Sequence, residues 1–215
     1  MNTINQKIDG EIEIEVVNFL KSKLIISEEY LIYKKKKIFF QDVEKIKCKA
    51  IKHYSNYGGA VAYFGIFYNI SLIDKNDNKV SIEFASKDEN YHCYFNLIVD
   101  KIIFKLAPKL IDFIKNNGQI EIGKLLLNQE GLHKKRLLLK SVLLSWENCS
   151  NCELKHGYMV VYDKFNNEFC KIDSSVYNAI SLPLIINAMK HNGIVEPVNE
   201  INSFDRNSYM AEADL

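Results

Sequence analysis

Apolar and polar residues alternate in short runs along the first quarter of the chain. "KLIIS" (Lys23–Ser27), "YLIYK" (Tyr30–Lys34) and "KIFFQDVEKIKCKA" (Lys37–Ala50) are rich in β-branched and aromatic residues and are separated by polar breaks, which predicts short strands. "EIEIEVVNFLK" (Glu11–Lys21) fits a strand through Ile12, Ile14 and Val16 and a helix through Ile12, Val16 and Phe19 equally well. "DKNDNK" (Asp74–Lys79) and "DKFNNE" (Asp163–Glu168) each stand between apolar runs. Asp and Asn tolerate left-handed backbone angles and bond their own main chain, so each stretch predicts a hairpin.

Farther on the period changes to that of a helix. Phe95, Ile98, Val99, Ile102, Ile103 and Leu106 form one stripe, with Asn96, Asp100, Lys101 and Lys105 mostly opposite. Leu110, Ile111, Phe113 and Ile114 form a second apolar face ending at the helix stop Asn117-Gly118. Pro108 and Pro183 suit helix starts, where a missing N–H costs little; the pattern leaves open whether one helix runs through Pro108. Asn192-Gly193 supplies a second stop, and the stretch after it has no periodicity and reads as peripheral.

The chain also resembles itself. "KLIISEEYLIYKK" (Lys23–Lys35) matches "KLLLNQEGLHKKR" (Lys124–Arg136) at an offset of 101 residues. "FFQDVEKI" then matches "LLSWENCS", with Asp42 opposite Glu147, and Leu72–Ser86 matches Val161–Ser175. "PKLIDFIKNNG" (Pro108–Gly118) matches "PLIINAMKHNG" (Pro183–Gly193). Four blocks in one order predict a duplicated unit of several strands and one helix. The shrinking offset assigns about 16 extra residues to the region of His53–Tyr68 and about 14 to that of Lys87–Leu106, both in the first copy.

The order of a "K-L-φ-φ-x-x-E-x-L" run (φ apolar), a basic turn, an apolar pair before Trp or Asp with Glu, and a terminal helix resembles the bacterial tandem pleckstrin-homology-like proteins of unknown function. Lys124–Leu132 with Ser145-Trp146-Glu147 carries the likeness best, and the first copy has Gln41-Asp42 opposite Trp146-Glu147. The resemblance implies an α+β, mostly antiparallel fold: two bent sheets or split barrels, each closed by a C-terminal helix. It divides the chain into an N-terminal segment (1–22), a first unit with insertions (23–118), a second unit (119–193) and a tail (194–215). It also implies a binding or scaffolding module rather than an enzyme.

Composition narrows the options further. Among 215 residues, 47% are hydrophobic, enough for packed cores, while Lys plus Arg (28) nearly equals Asp plus Glu (27). A protein that wraps nucleic acid carries a basic excess, so no nucleic-acid partner is expected. Five irregularly spaced cysteines suit a reducing compartment better than a disulfide framework. No basic start precedes an apolar run, and no stretch of about 20 apolar residues is present; the expected location is the cytoplasm.

Three clusters are candidates for chemistry. Lys34, Lys35, Lys36 and Lys37, with Lys134, Lys135 and Arg136 at the aligned position, can meet anionic headgroups, because several ammonium groups converge on a phosphate. Charge runs are more often solvated turns that deter edge pairing. Cys149, Cys152, His156 and Cys170 carry ligand types for zinc, but a single CxxC with no counterpart in the first copy favours ordinary buried thiols. In "HYSNYGGAVAYFGIFY" (His53–Tyr68), Tyr57, Tyr63, Phe64 and Phe67 can engage a partner or a lipid interface, although a buried strand is the commoner fate of such a run.

No catalytic motif and no cofactor signature is present. The expectation is a non-enzymatic module with a protein partner, and with peripheral contact to an anionic membrane as the second reading. An immunity or antitoxin-like protein that binds one toxin is the alternative. Oligomeric state is left open.

Overall fold

The alternating runs are strands in a computed structural model of the chain, which describes residues 7–8, 11–16, 22–57, 60–86, 90–135, 140–191 and 210–212. The fold is α+β and mostly antiparallel. It divides into two compact units, residues 1–105 with 210–215, and residues 106–209. The division falls inside a helix, upstream of the Gly118–Gln119 junction read from the sequence.

In the first unit β1 (Lys7–Ile8), β2 (Glu11–Val16), β3 (Ser22–Ile26), β4 (Tyr30–Tyr33) and β5 (Lys36–Phe39) form an antiparallel meander. "EIEIEV" is therefore a strand: Ile12 pairs with Ile26 and Ile14 with Leu24. A single 3-10 turn, Phe40–Asp42, leads into β6 (Val43–Tyr57), β7 (Ala60–Asp74) and β8 (Lys79–Ser86), which form a second antiparallel sheet. Helix α1 (Asn90–Lys115) follows.

The second unit follows the same order. β9 (Ile120–Ile122), β10 (Leu125–Asn128), β11 (Gly131–Lys134) and β12 (Val142–Ser145) form one meander, and a 3-10 turn, Trp146–Asn148, leads to the next. That one consists of β13 (Cys149–Lys155), β14 (Tyr158–Asp163) and β15 (Glu168–Asp173). Helix α2 (Leu182–Lys190) lies against β13 and the 3-10 turn. A last strand, β16 (Met210–Glu212), pairs parallel with β6. The stretch expected to be peripheral thus contributes a strand; a three-residue pairing set by its partner leaves no periodic trace. The strands of both units form open sheets among the described residues.

Strand registers recur between the units. Leu24↔Tyr33 and Ile26↔Leu31 have counterparts 101 residues later, Leu125↔Lys134 and Leu127↔Leu132. Leu24, Ile26, Leu125 and Leu127 are all buried. The turns agree as well. Ser27 Oγ accepts the N–H groups of Glu29 (3.2 Å) and Tyr30 (3.0 Å), and Asn128 Oδ1 accepts those of Glu130 (3.0 Å) and Gly131 (3.2 Å). Asp74 Oδ1 accepts from Asn76 and Asn78, as Asp163 Oδ1 does from Phe165 and Asn167, all at 2.9 Å. These two turns are the hairpins predicted from "DKNDNK" and "DKFNNE".

The structure moves one correspondence. Phe40 and Trp146, both buried, each open the 3-10 turn, so Gln41 stands where the second unit has Glu147 and Asp42 where it has Asn148. Main-chain bonds agree with that shift: Lys75 N–H reaches Asp42 O at 2.9 Å, and Lys164 N–H reaches Asn148 O at 2.8 Å. The extra length of the first unit also takes form. The β6–β7 hairpin runs from Val43↔Asp74 to Tyr57↔Ala60, whereas β13 and β14 close at a two-residue turn, His156-Gly157. The other addition is the N-terminal part of α1.

The stripe Phe95, Ile98, Val99, Ile102, Ile103 and Leu106 is buried as predicted. The helix runs through Pro108 without ending. The carbonyl deprived of its bond is that of Phe104, an exposed position where water can serve instead, while Ala107, Ile111 and Ile114 stay buried. Phe113 leaves the expected apolar face and is 55% exposed. Asn117 takes the left-handed conformation (φ 64°), and Gly118 N–H bonds Phe113 O at 2.9 Å, a Schellman ending. A Cβ on Gly118 would lie 2.4 Å from the Phe113 ring and carbonyl, which accounts for glycine there. Asn192-Gly193 lies outside the described residues.

Asp100, expected on the solvent side of α1, is half-buried, and burial pushes its carboxyl from 3.8 up to about 6. A raised carboxyl pKa means that the folded chain holds the proton longer than the unfolded one. Stability is therefore lost as pH rises from about 4 to about 6, and the cost is fully present above that window. Asp100→Asn is expected to stabilise the protein above pH 6, on the order of 1 kcal/mol after solvent screening. It should also flatten the stability profile between pH 4 and 6, which urea unfolding at a series of pH values measures.

Candidate functional site

Lys34 and Lys35 are the two turn residues between β4 and β5, with φ 49° and 66°. A two-residue hairpin of type I′ needs left-handed angles at both positions, which Asn-Gly adopts easily and lysine does not. Lys36 and Lys37 continue into β5 and alternate in direction. Lys37 Nζ lies 3.4 Å from the Tyr30 ring centroid and 4.8 Å from that of Phe39, and Lys34 Nζ lies 5.1 Å from that of Tyr33. The cluster is exposed, and two of its members, Lys34 and Lys37, lie over different aromatic neighbours instead of aiming at one point.

The second cluster is differently disposed. Lys134 Nζ donates to Phe169 O at 2.8 Å, Lys135 Nζ pairs with Glu121 at 2.6 Å, and Arg136 lies outside the described residues. Register also separates the two: Tyr33↔Lys36 and Ile32↔Lys37 have counterparts in Lys134↔Val142 and His133↔Leu143. The positions of Lys36 and Lys37 are therefore apolar in the second unit, and only the turn lysines have basic counterparts.

Of the aromatic candidates, Tyr63 is 41% and Phe67 49% exposed, while the side chains of Tyr57 and Phe64 lie outside the described residues. β8 ends at Ser86↔Ile66, so beyond His53↔Gly65 the hairpin continues as two strands among the described residues. A register shift between His53 and Tyr54 and a φ of 126° at Gly65 mark where this arm begins. The Tyr54 and Tyr63 rings meet across it, tilted by 49° with centroids 5.5 Å apart. Phe67 sits between Ile51 and Ala85 on the outer face of the sheet. The expected buried strand is thus partly a solvent-facing one.

A register shift also repositions the thiols. Simple alternation would put Cys149 and Cys152 on opposite faces, but an irregularity between them pairs Cys149 with Asp163 and Cys152 with Val161, two residues apart on β14. Both cysteines therefore share a face with Cys170, which also pairs with Val161. Burial raises all three thiols, Cys149 to about 11 and Cys152 well above its ordinary value. His156 is exposed in the β13–β14 turn. Among the described residues no group of three His, Cys, Asp or Glu side chains is placed to hold a metal ion.

The second unit has a cleft of about 750 Å³ that was not singled out from the sequence. Trp146 is among its lining residues and donates from Nε1 to the carbonyls of Asn128 and Gln129, both at 3.1 Å. Glu130, Glu147, Lys115 and Lys190 line it as well. Gln129 caps the end of α1 by donating to Lys115 O, and Lys190 Nζ donates to Ser150 O at 2.5 Å. Two carboxylates and two ammonium groups around an indole suit a polar, zwitterionic contact better than a nucleophile. The matched lysines at the helix ends, Lys115 and Lys190, were the visible signal for it.

No protein-family model matches the chain, and no curated protein matches it either. No helix among the described residues is long and apolar enough to cross a membrane.

Two outcomes follow from this geometry. Lys34→Asn with Lys35→Gly is expected to stabilise the protein by about 1–2 kcal/mol in urea unfolding, by removing left-handed lysines. With a chromogenic disulfide reagent at pH 8, exposed Cys93 is expected to react fast, while Cys48, Cys149, Cys152 and Cys170 wait for unfolding. Three or more fast thiols per chain would contradict that assignment.

Proposed function

We propose that the chain is a tandem of two pleckstrin-homology-like units acting in the cytoplasm as a non-enzymatic binding or scaffolding module, with a protein as its partner. The observation that carries this reading is the register shared by the two units. In each, an antiparallel meander turns at a 3-10 corner opened by a buried aromatic residue, three further strands follow, and a helix comes last. Duplication of such a unit keeps the buried pattern and leaves turns and edges free to diverge. The long β6–β7 arm with exposed Tyr63 and Phe67 is the largest divergence, and solvent-facing aromatic residues are common partner anchors.

Anionic headgroups are the second reading, supported by the exposed turn lysines Lys34 and Lys35. Support is weaker at Lys134 and Lys135, which are engaged within their own unit.

Both readings meet one test. The purified chain is used as bait in a lysate of its native host, beside the Tyr63→Ala/Phe67→Ala protein, and is also mixed with phosphatidylserine-rich vesicles at low salt. A stoichiometric protein lost in the double variant is expected. Vesicle binding abolished by Lys34→Glu/Lys35→Glu, with no protein captured, would replace the first reading by the second.

A further inference from the structure

The Trp146 cleft lies within the second unit, and the partner reading makes no use of it. Its backbone frame is held from several sides. Asn128 Oδ1 accepts the N–H groups of Glu130 and Gly131, Trp146 Nε1 donates to the carbonyls of Asn128 and Gln129, and the Gln129 amide donates to Lys115 O. The turn that bears Glu130 is thus tied to the 3-10 corner that bears Glu147 and to the last residue of α1. A frame fixed in this way loses little freedom when a ligand arrives.

The corresponding place in the first unit lacks these parts. Ser27, Glu28 and Glu29 stand 101 residues before Asn128, Gln129 and Glu130. Phe40, in place of Trp146, has no side-chain N–H to give, and Gln41, in place of Glu147, has no charge. Glu28 there pairs with Lys101 at 2.7 Å. The same turn and corner therefore fold without an indole clamp or a second carboxylate, so the fold alone does not account for Trp146 and Glu147.

Charges of both signs line the cleft, whose volume of about 750 Å³ is that of a small-molecule site. Among the described residues the Glu147 carboxylate has no hydrogen bond or ion pair, and the Glu130 carboxylate has one neighbour of opposite sign, His133 Nε2 at 3.7 Å. Lys190 Nζ uses one of its three donors on Ser150 O. Helices α1 and α2 end here, at Lys115 and Lys190, and helix C-termini add partial negative charge.

We propose that this cleft binds a small arginine-bearing zwitterion, a free amino acid or a short peptide, with its guanidinium on Glu130 and Glu147 and its carboxylate on Lys190. A guanidinium is weakly hydrated, and its planar fork matches carboxylates, so it suits two acidic groups beside helix C-termini. A ligand with charge of one sign leaves the opposite charges of the cleft unanswered and meets like charge instead.

Trp146 is the only tryptophan in the chain, so its fluorescence reads the cleft directly. The full-length chain is titrated at low salt with L-arginine and with the dipeptide arginyl-glutamate, and calorimetry is run beside the fluorescence. N-acetylarginine amide supplies the cation alone and N-acetylglycine the anion alone. Saturable binding of at least one zwitterion is expected, with each single-charge compound at least about 10-fold weaker. Glu130→Gln/Glu147→Gln and, separately, Lys190→Gln should each weaken the zwitterion about 10-fold or more. All three side chains are exposed, so the urea midpoint should hold; the comparison of ligands on the wild-type chain stands whatever the variants do. L-arginine as the tighter ligand assigns a free amino acid, and arginyl-glutamate as the tighter one assigns a peptide. No saturable binding of either zwitterion by either readout, single-charge compounds that bind as tightly, or folded variants that bind as wild type does would overturn the proposal.

Discussion

Antiparallel register is the constraint on which the rest of this structure depends. Side chains along a strand alternate between core and solvent, so a slip of one residue would turn Leu24 and Ile26, or Leu125 and Leu127, out to water. Turns hold that register. Ser27 and Asn128 fix the β3–β4 and β10–β11 hairpins by accepting two main-chain N–H groups each, and Asp74 and Asp163 do the same for β7–β8 and β14–β15. Hydrogen bonds to the ionised carboxylates hold both below the ordinary aspartate range, chiefly from the Asn78 side-chain amide at Asp74 and chiefly from the Asn167 main-chain N–H at Asp163. Local polar chemistry and long-range burial thus specify the same pairing.

Within that shared frame, the two units differ at their edges and ends. β5 carries Lys36 and Lys37 at an edge where β12 carries Val142 and Leu143, and Leu143 is 45% exposed. Lysines on an edge discourage pairing with other chains, and their absence on β12 removes that protection. A two-residue turn closes β13–β14, whereas β6 and β7 run on as an arm. A core tolerates few such changes, because each buried position is packed on several sides. Edges and hairpin tips tolerate many, so they are where two units with similar registers can acquire different contacts.

The candidate site was legible in part. The four lysines and the aromatic run stand out as residue types, but their direction does not. Lys37 lies over Tyr30 because strand pairing brings Tyr30 beside Phe39, a neighbour nine residues away in the chain. Cys149 and Cys152 share a face because of one irregular step in β13, which alternation alone reverses. The Trp146 cleft collects residues from the β10–β11 turn, the 3-10 corner and the ends of two helices, so no local window contains it. The aromatic correspondence of Phe40 with Trp146 was missed because more residues separate β11 from β12 than β4 from β5, which moves the offset by a residue beyond the best identity match.

By itself the sequence determined the elements whose cause is local: strands from alternation, hairpins from Asp and Asn turn chemistry, the buried stripe of α1 from its period, and the recurrence of one block order in the two halves. These depend on a residue and its near neighbours, which any chain carries with it. Tertiary structure alone decided that β16 pairs with β6, that Asp100 is half-buried and that α1 passes through Pro108. It also decided which exposed side chains converge. Each of those outcomes is set by what lies across space, by burial and by pairing with residues far away in the chain, and separation in sequence carries no record of them.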